Sequence, residues 1–155
     1  MSFRGAIAEI SFVDGVKPPS FIEGKLNPLL SLYNEQFKGL YNEENVIQEC
    51  INQLEDYFAG KLKVFKLPLY VHSTAFREDV WMELLKIPYG ETITYKELAK
   101  RIGNPAAIRA VGGANHHNPI NIIIPCHRVI GANGKLTGYG GGLDKKKFLL
   151  ELENN

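Results

Sequence analysis

One of the two cysteines in the sequence, Cys126, lies in the stretch NIIIPCHRVI, directly before a histidine and an arginine. A cysteine has a pKa of about 8.5 and becomes a nucleophile where nearby cations or bases favour its thiolate. His127 is a candidate base: a water could bridge it to the thiol, and a carboxylate could orient its imidazole. Arg128 could favour the thiolate or tie the surrounding chain together. The stretch therefore predicts a reactive thiol with a base nearby.

The other cysteine, Cys50, is predicted to be a small buried hydrophobe. It lies in a predicted amphipathic helix over residues 42–60. The predicted apolar face comprises Ile47, Cys50, Ile51, Leu54 and Phe58. Two cysteines are too few for a disulfide framework, and they exclude a structural zinc site rich in cysteine.

Positive charge is concentrated around Cys126. The net charge is +1, yet residues 94–135 hold six Lys or Arg residues against one acidic residue, Glu97. A polyanion such as DNA would fit this region, although a solvated basic face is the alternative. The sequence has no apolar stretch of transmembrane length, and MSFRGAIAEISF lacks the features of a secretory signal, so we expect an intracellular protein without membrane contact.

Two short helices are predicted to carry this basic region. Residues 94–97, TYKE, match a capping box, and the helix that they open should end near Arg101, before Gly103. Asn104 and Pro105 suit the N-cap and first position of a second helix that reaches about Ala114. The two helices predict a helix-turn-helix.

The second of these helices has an unusually bare surface. Its residues are mostly Ala and Gly, with Arg109 as the only charged side chain. A glycine costs about 1 kcal/mol against alanine inside a helix, so the pair Gly112-Gly113 needs a reason. Close packing against a neighbouring helix is one explanation, and close approach to a nucleic-acid groove is the other.

Further elements complete the expected framework. We predict a strand over residues 64–70, a helix from Ala75 that stops before Pro88, a short buried strand over residues 120–124 and a glycine-rich loop over residues 138–142. A terminal helix from about Asp144 places Glu153 at its carboxyl end, where a carboxylate opposes the helix dipole. Glu153 is therefore a candidate for another purpose.

The heptapeptide PCHRVIG resembles the active-site signature of the O6-alkylguanine-DNA alkyltransferases, also called methylated-DNA–protein-cysteine methyltransferases. The similarity extends from IPYGETITYKELAKRIG through RAVGGANHHNPINIIIPCHRVIG to the carboxyl terminus, about half of the chain. It implies DNA repair by direct, irreversible transfer of a methyl or alkyl group from O6-alkylguanine, and from O4-alkylthymine, to Cys126 after nucleotide flipping. Each molecule would react once, without a cofactor or metal.

The resemblance also implies roles for single residues. Cys126 would accept the alkyl group, His127 would take the thiol proton through a water, and Glu153 would orient the imidazole. Tyr95 would assist the guanine leaving group, and Asn118 would hold the active-site turn. The guanine pocket would be bounded by Tyr95, Val129, Tyr139 and Gly140. Contacts to DNA would come from Arg109, which would enter the base stack, and from Lys96, Asn104 and Ala107.

The implied fold is α/β (α+β). Residues 1–73 would form a small ribonuclease-H-like lobe with a short antiparallel sheet, including a turn at Asp14-Gly15, and residues 74–155 a mainly helical winged-helix-turn-helix lobe. The partner would be double-stranded DNA, bound through the minor groove by a monomeric, cytoplasmic protein (nuclear in a eukaryote), with cooperative binding on DNA left open.

The sequence departs from the family pattern at several positions. Gly140 follows the pocket tyrosine where some relatives have serine, and His116 and His117 replace larger basic residues. No cysteine precedes Cys50, so we expect no zinc site of the vertebrate type. The alternatives are a lesion-recognition protein without transfer activity, which lacks the family's cysteine, a helix-turn-helix regulator and a hydrolytic Cys-His enzyme.

Overall fold

The computed structural model describes residues 2–3, 6–8, 10, 33–42 and 45–155. In the amino-terminal part, strands β1 (Ser2–Phe3) and β2 (Ala6–Ile7) pair in antiparallel fashion, and helix α1 spans Val46–Phe58. The strand predicted over residues 64–70 is instead an extended segment that joins Ile7 through a single bridge at Leu69. The turn predicted at Asp14-Gly15 lies outside the described residues.

Helix α1 ends where predicted, since Gly60 adopts a positive φ just beyond it, but its buried face differs from the prediction. Ile51 and Phe58 are exposed. The buried side chains are Val46, Cys50, Gln53 and Tyr57. The face is turned because two polar side chains have partners inside: Gln53 hydrogen-bonds to the backbone of Lys66, and Tyr57 to a distant carboxylate. The predicted burial of Cys50 is confirmed.

The carboxyl-terminal part is mainly helical. Its elements are α2 (Ala75–Leu84), β3 (Ile93–Thr94), α3 (Tyr95–Arg101), α4 (Ile108–His116), a 3₁₀ turn (Cys126–Arg128), β4 (Val129–Ile130) and α5 (Leu143–Glu153). Strands β3 and β4 run parallel, with Ile93 opposite Val129 and Thr94 opposite Ile130. This pairing brings the start of α3 beside the chain that leaves Cys126. The fold is α+β, as predicted.

Helices α3 and α4 form the predicted helix-turn-helix, with one correction. Thr94 Oγ1 accepts a hydrogen bond from the Glu97 N–H at 3.1 Å, as a capping box requires. Gly103 and Asn104 donate to the carbonyls of Lys100 and Ala99, which is a Schellman ending. Asn104 therefore belongs to the end of α3. The turn that contains Pro105 follows, and α4 begins at Ile108 and continues to His116, later at both ends than predicted.

Helix α4 packs on α2 and α3 through Val111 and Ala114. Trp81 of α2 donates its indole N–H to the Ala114 carbonyl at 2.8 Å. Arg109 and Gly113 lie on the opposite, exposed face. A Cβ placed on Gly113 meets no described atom within 4 Å. No described helix therefore requires a glycine at this position, which leaves the approach of an external partner as its explanation.

The strand predicted over residues 120–124 is wrong, although the predicted burial is right. Ile120, Ile122, Ile123 and Ile124 are all buried, but the chain makes a tight turn in which the Ile124 N–H donates to the Ile120 carbonyl at 3.0 Å. Ile122 has a φ of 75°, the only positive value among the described non-glycine residues. A β-branched residue in this conformation is strained, and such strain is held by tight surroundings next to functional groups.

The apolar core runs from α1 through the isoleucine turn to α5. Its fully buried members include Ile7, Val46, Leu69, Val80, Leu84, Leu98, Val111, Ile124, Val129 and Leu149. Ile10 joins the amino-terminal part to this core, because its N–H donates to Pro119 O and its carbonyl accepts from Asn121 N–H. Among the described helices, none has the length and apolar character needed to cross a bilayer.

Candidate active site

Cys126 opens the 3₁₀ turn and is almost completely buried, with 1% of its surface exposed. Asn118 Nδ2 donates to Cys126 Sγ at 3.1 Å and to the Ile124 carbonyl at 2.7 Å, while its Oδ1 accepts from the Ile120 N–H. Asn118 thus holds both the strained turn and the thiol. On its other side, Sγ lies 3.7 Å from Asn121 Oδ1. The thiol is fixed in direction by two amides.

Burial raises the pKa of the Cys126 thiol to about 11, and the Asn118 hydrogen bond and the nearby Lys146 charge oppose this increase. Lys146 lies on α5 with no exposed surface. Its Nζ donates to the carbonyls of Val129 at 2.6 Å and Thr137 at 2.9 Å. Burial lowers the pKa of Lys146 to about 8, while Cys126 opposes the decrease. Lys146 is therefore the cation that acts electrostatically on the thiol.

The His127 side chain is fully buried and directed away from Sγ, toward α5. Its Nε2 lies 2.7 Å from Glu153 Oε1, and because an ionised carboxylate only accepts hydrogen bonds, Nε2 carries the hydrogen. Nδ1 is then the acceptor, and no group of the described residues hydrogen-bonds to it. Burial lowers the pKa of His127, although Glu153 opposes the decrease. The imidazole is a neutral base with a free lone pair.

Glu153 at the end of α5 is a buried carboxylate surrounded by donors. Arg128 donates from Nε to Oε2 at 2.9 Å and from Nη2 to Oε1 at 2.9 Å, in addition to the His127 contact. Burial alone would raise the pKa of Glu153, but the hydrogen bonds from His127 and Arg128 hold it well below its usual range. Arg128 also donates to Ile87 O at 2.6 Å. Of the two possible functions of Arg128, the structure therefore favours tying the chain together.

Tyr95 begins α3 and contacts the loop that follows β4. Its hydroxyl donates to Thr137 O at 3.0 Å or Gly138 O at 3.2 Å, the carbonyls that also accept from Lys146. Lys146 Nζ lies 5.7 Å from the centre of the Tyr95 ring. Burial raises the pKa of Tyr95. One lysine thus fixes the phenol and the loop beside the thiol.

The predicted pocket residues come together around this loop. Val129 is buried in β4, and Tyr139 is buried, with burial raising its pKa. Gly140 has a spatial reason to lack a side chain, because a Cβ there would lie 3.1 Å from His116 O at the end of α4. The departure from the serine of some relatives therefore goes with the close approach of this loop to the helix-turn-helix.

The predicted DNA contacts lie on the helix-turn-helix and not in the buried site. Lys96 on α3, Asn104 in the turn and Arg109 on α4 are exposed, and Ala107, the residue before α4, is half-buried. The described residues contain no group of three His, Cys, Asp or Glu side chains that could hold a metal ion.

Sequence reasoning missed three residues of the site: Lys146, Asn121 and Tyr57. The side chain of Asn121 reaches Sγ and also donates to Ile10 O at 3.1 Å. Tyr57 donates to Glu153 Oε1 at 2.7 Å from α1. Lys146 lies between two other lysines in DKKKF, so its sequence suggests a solvated cluster, and only the sequence distance of Asn121 from Cys126 gave a signal.

Comparison with known proteins identifies the family. A family model described as the DNA binding domain of 6-O-methylguanine DNA methyltransferase matches residues 75–155. A methylated-DNA–protein-cysteine methyltransferase of Methanosarcina acetivorans is 53% identical over 145 residues, which cover 92% of this chain and 87% of the relative. The chain belongs to the O6-methylguanine-DNA methyltransferase family.

Solved structures of O6-methylguanine-DNA methyltransferases share this fold. A crystal structure of Mycobacterium tuberculosis OGT in complex with DNA has a TM-score of 0.68 and 59% identity, and the match covers 69% of this chain and 66% of that one. The O6-methylguanine-DNA methyltransferase of Pyrococcus kodakaraensis has a TM-score of 0.54 and 31% identity over 81% of this chain and 75% of that one. The family's resemblance in sequence therefore extends to three dimensions.

Proposed function

We propose that this protein repairs DNA by transferring the alkyl group of O6-alkylguanine irreversibly to Cys126. The observation that carries the proposal is the buried line of Cys126, His127 and Glu153 in a chain of this family. Relatives named methylated-DNA–protein-cysteine methyltransferase at 53% to 60% identity support it. O4-alkylthymine is proposed as a second substrate on the family resemblance alone.

The reaction is a displacement at the alkyl carbon. Cys126 Sγ forms the new S–C bond, and the bond between that carbon and guanine O6 breaks. Because burial keeps the thiol protonated at neutral pH, its proton must leave as the bond forms. His127 Nδ1 is the acceptor, through a water, since Nε2–H is committed to Glu153. Glu153 stabilises the imidazolium that results.

The leaving guanine takes up negative charge as the C–O6 bond breaks. The Tyr95 hydroxyl, held at the Thr137–Gly138 loop, donates a hydrogen bond or proton to it. Val129, Tyr139 and Gly140 bound the space for the base beside this loop. The product thioether is stable, so each molecule acts once and needs no cofactor.

The exposed face of α4 is proposed to lie in the minor groove of double-stranded DNA. Its small residues allow close approach, and minor-groove contacts of this kind are largely independent of sequence, which repair requires. Arg109 would fill the gap left by the extruded nucleotide and offset an unstacking cost of a few kcal/mol. Lys96, Asn104 and Ala107 would contact the backbone. One chain supplies all these residues, which supports action as a monomer.

Intact-protein mass spectrometry tests this function. The protein is incubated with a duplex that contains O6-methylguanine and is weighed under reducing conditions. We expect one methyl group per molecule, located by peptide mapping on Cys126. Cys126→Ser should gain nothing, while Cys50→Ala, which removes the other buried thiol, should be methylated like the wild type. An unchanged mass of the folded wild type would overturn the proposal.

A further inference from the structure

Tyr57 connects α1 to the carboxylate behind the reactive thiol. The side chain is fully buried, and its hydroxyl donates to Glu153 Oε1 at 2.7 Å across 96 positions of sequence. Its ring packs against Phe65 and Tyr89, with centroid distances of 5.3 and 6.0 Å. The hydroxyl is therefore held in place by its surroundings and is aimed at one oxygen.

That oxygen is the one that His127 uses. Glu153 Oε1 accepts from His127 Nε2 at 2.7 Å, from Arg128 Nη2 at 2.9 Å and from Tyr57, while Oε2 accepts from Arg128 Nε and from the Gly90 N–H at 3.2 Å. Each donor stabilises the ionised carboxylate and makes it a weaker base. The Tyr57 hydroxyl thus competes directly with His127 for the electron density of Oε1.

We propose that Tyr57 is a positioning residue for alkyl transfer, which sets the basicity and orientation of His127 through Glu153. The inference rests on the proposed function and deepens it. It makes α1, outside the region matched by the family model, a contributor to the reactivity of Cys126. Without the phenol, Glu153 becomes more basic, stabilises the imidazolium more strongly and holds His127 less firmly.

A purely structural role of Tyr57 would predict a different result. Loss of a buried hydrogen bond lowers the stability of the fold, but it does not by itself move the titration of His127. The charged and titratable groups that face His127 and Glu153 are Arg128, Lys146, Tyr57 and Tyr89, and only Tyr57 is altered in the variant Tyr57→Phe. A changed pKa of His127 therefore reports on the proposed connection.

The test compares the wild type, Tyr57→Phe and Tyr33→Phe. Tyr33→Phe is the matched control, since it removes a part-buried hydroxyl that donates to Leu67 O at 3.3 Å in the same part of the chain. The rate constant of single-turnover methyl transfer is measured from pH 5 to 9, with endpoints normalised by mass spectrometry. The His127 pKa is measured separately by long-range ¹H–¹⁵N NMR of the unreacted protein.

For Tyr57→Phe we expect a rate constant reduced about tenfold at neutral pH. We also expect the acidic limb and the NMR pKa of His127 to move upward by about half a pH unit. Tyr33→Phe should match the wild type in both. An unchanged His127 pKa in Tyr57→Phe overturns the inference, even if stability falls. A wild type without transfer would instead contradict the proposed function, while the NMR measurement would still decide the connection between Tyr57 and His127.

Discussion

The protonation states of Cys126 and His127 are matched to one direction of proton transfer. Burial raises the pKa of the thiol and lowers that of the imidazole, so the thiol starts protonated and the base starts neutral. Neither state would be reached with both groups in water. Because the thiol is also shielded at 1% exposure, it is protected from oxidants that react with exposed thiolates until a base enters the pocket.

Lys146 offers a test of the charge near the thiol. Lys146→Met removes the cation and leaves the carbonyls of Val129 and Thr137 without their donor. We expect a further increase in the pKa of Cys126, measured by the pH dependence of iodoacetamide labelling, and a transfer rate at least about tenfold lower. The free energy of unfolding should fall by about 1–3 kcal/mol. Lys147→Met, at an exposed neighbour, should change neither property, and an equal effect of both variants would contradict the assignment.

At the residue scale, sequence reasoning succeeded where residue type carries the signal. A cysteine after an apolar run, with a histidine beside it and a carboxylate at an unfavourable helix end, predicted the three groups that the structure places in one buried region, with the Glu153–His127 contact at 2.7 Å. Lys146 and Tyr57 escaped because lysines are usually exposed and tyrosines usually apolar core residues. Their partners lie 9 to 96 positions away, and only the fold brings them together.

At the scale of elements, helix types were predictable and helix limits were not. The capping box at Thr94 and the positive-φ glycine at Gly103 fixed both ends of α3 because these signals are local. The start of α4 was misplaced because the Schellman ending of α3 extends through Asn104. The run of residues 120–124 showed burial but not conformation, since a short apolar run does not distinguish a strand from a buried turn.

Gly113 of α4 should show a conflict between stability and DNA binding. Gly113→Ala should increase the free energy of unfolding by up to ~1 kcal/mol, because alanine favours a helix and its Cβ has open space. The same methyl group should weaken binding to duplex DNA about tenfold by keeping the groove away. Gly112→Ala is the matched control, since its Cβ would point to Tyr95 at 4.0 Å. Urea unfolding and fluorescence anisotropy measure both properties, and unchanged DNA affinity of Gly113→Ala would exclude this face from the interface.

Arg109 on the same helix separates nucleotide flipping from chemistry. Arg109→Ala should slow methyl transfer from duplex DNA about ten- to a hundredfold, because nothing then offsets the unstacking cost. Transfer from the free base O6-methylguanine should be unchanged, since that substrate has no stack to leave. Lys147→Ala serves as the control for loss of an exposed cation. Equal losses with both substrates would place Arg109 in the chemical step instead.

At the scale of the whole molecule, Glu153 joins elements that are far apart in sequence. Its carboxylate binds α1 through Tyr57, the 3₁₀ turn through His127 and Arg128, and the segment before β3 through Gly90. A Cβ on Gly90 would lie 3.1 Å from Glu153 O, so the glycine allows this close approach. The carboxylate that orients the base is therefore also a main internal connection of the fold, and activity and stability should depend on it together.

The pH dependence of stability should reveal this connection. The pKa of Glu153 is held below its ordinary value of 4.5, so its contribution is fully present above that value and is lost as the pH falls below it. Glu153→Gln leaves the buried Arg128 without its counter-charge and should be less stable than the wild type by about 3–5 kcal/mol at neutral pH. The difference should stay constant down to about pH 5 and then shrink with further acid. The buried neutral His127 adds an earlier loss, which begins as the pH falls through 6.5. Urea unfolding between pH 2.5 and 8 measures these curves. Glu151→Gln, at an exposed position on the same helix, should follow the wild type, and a difference between wild type and Glu153→Gln that does not change with pH would show that the carboxylate is not held ionised by its neighbours.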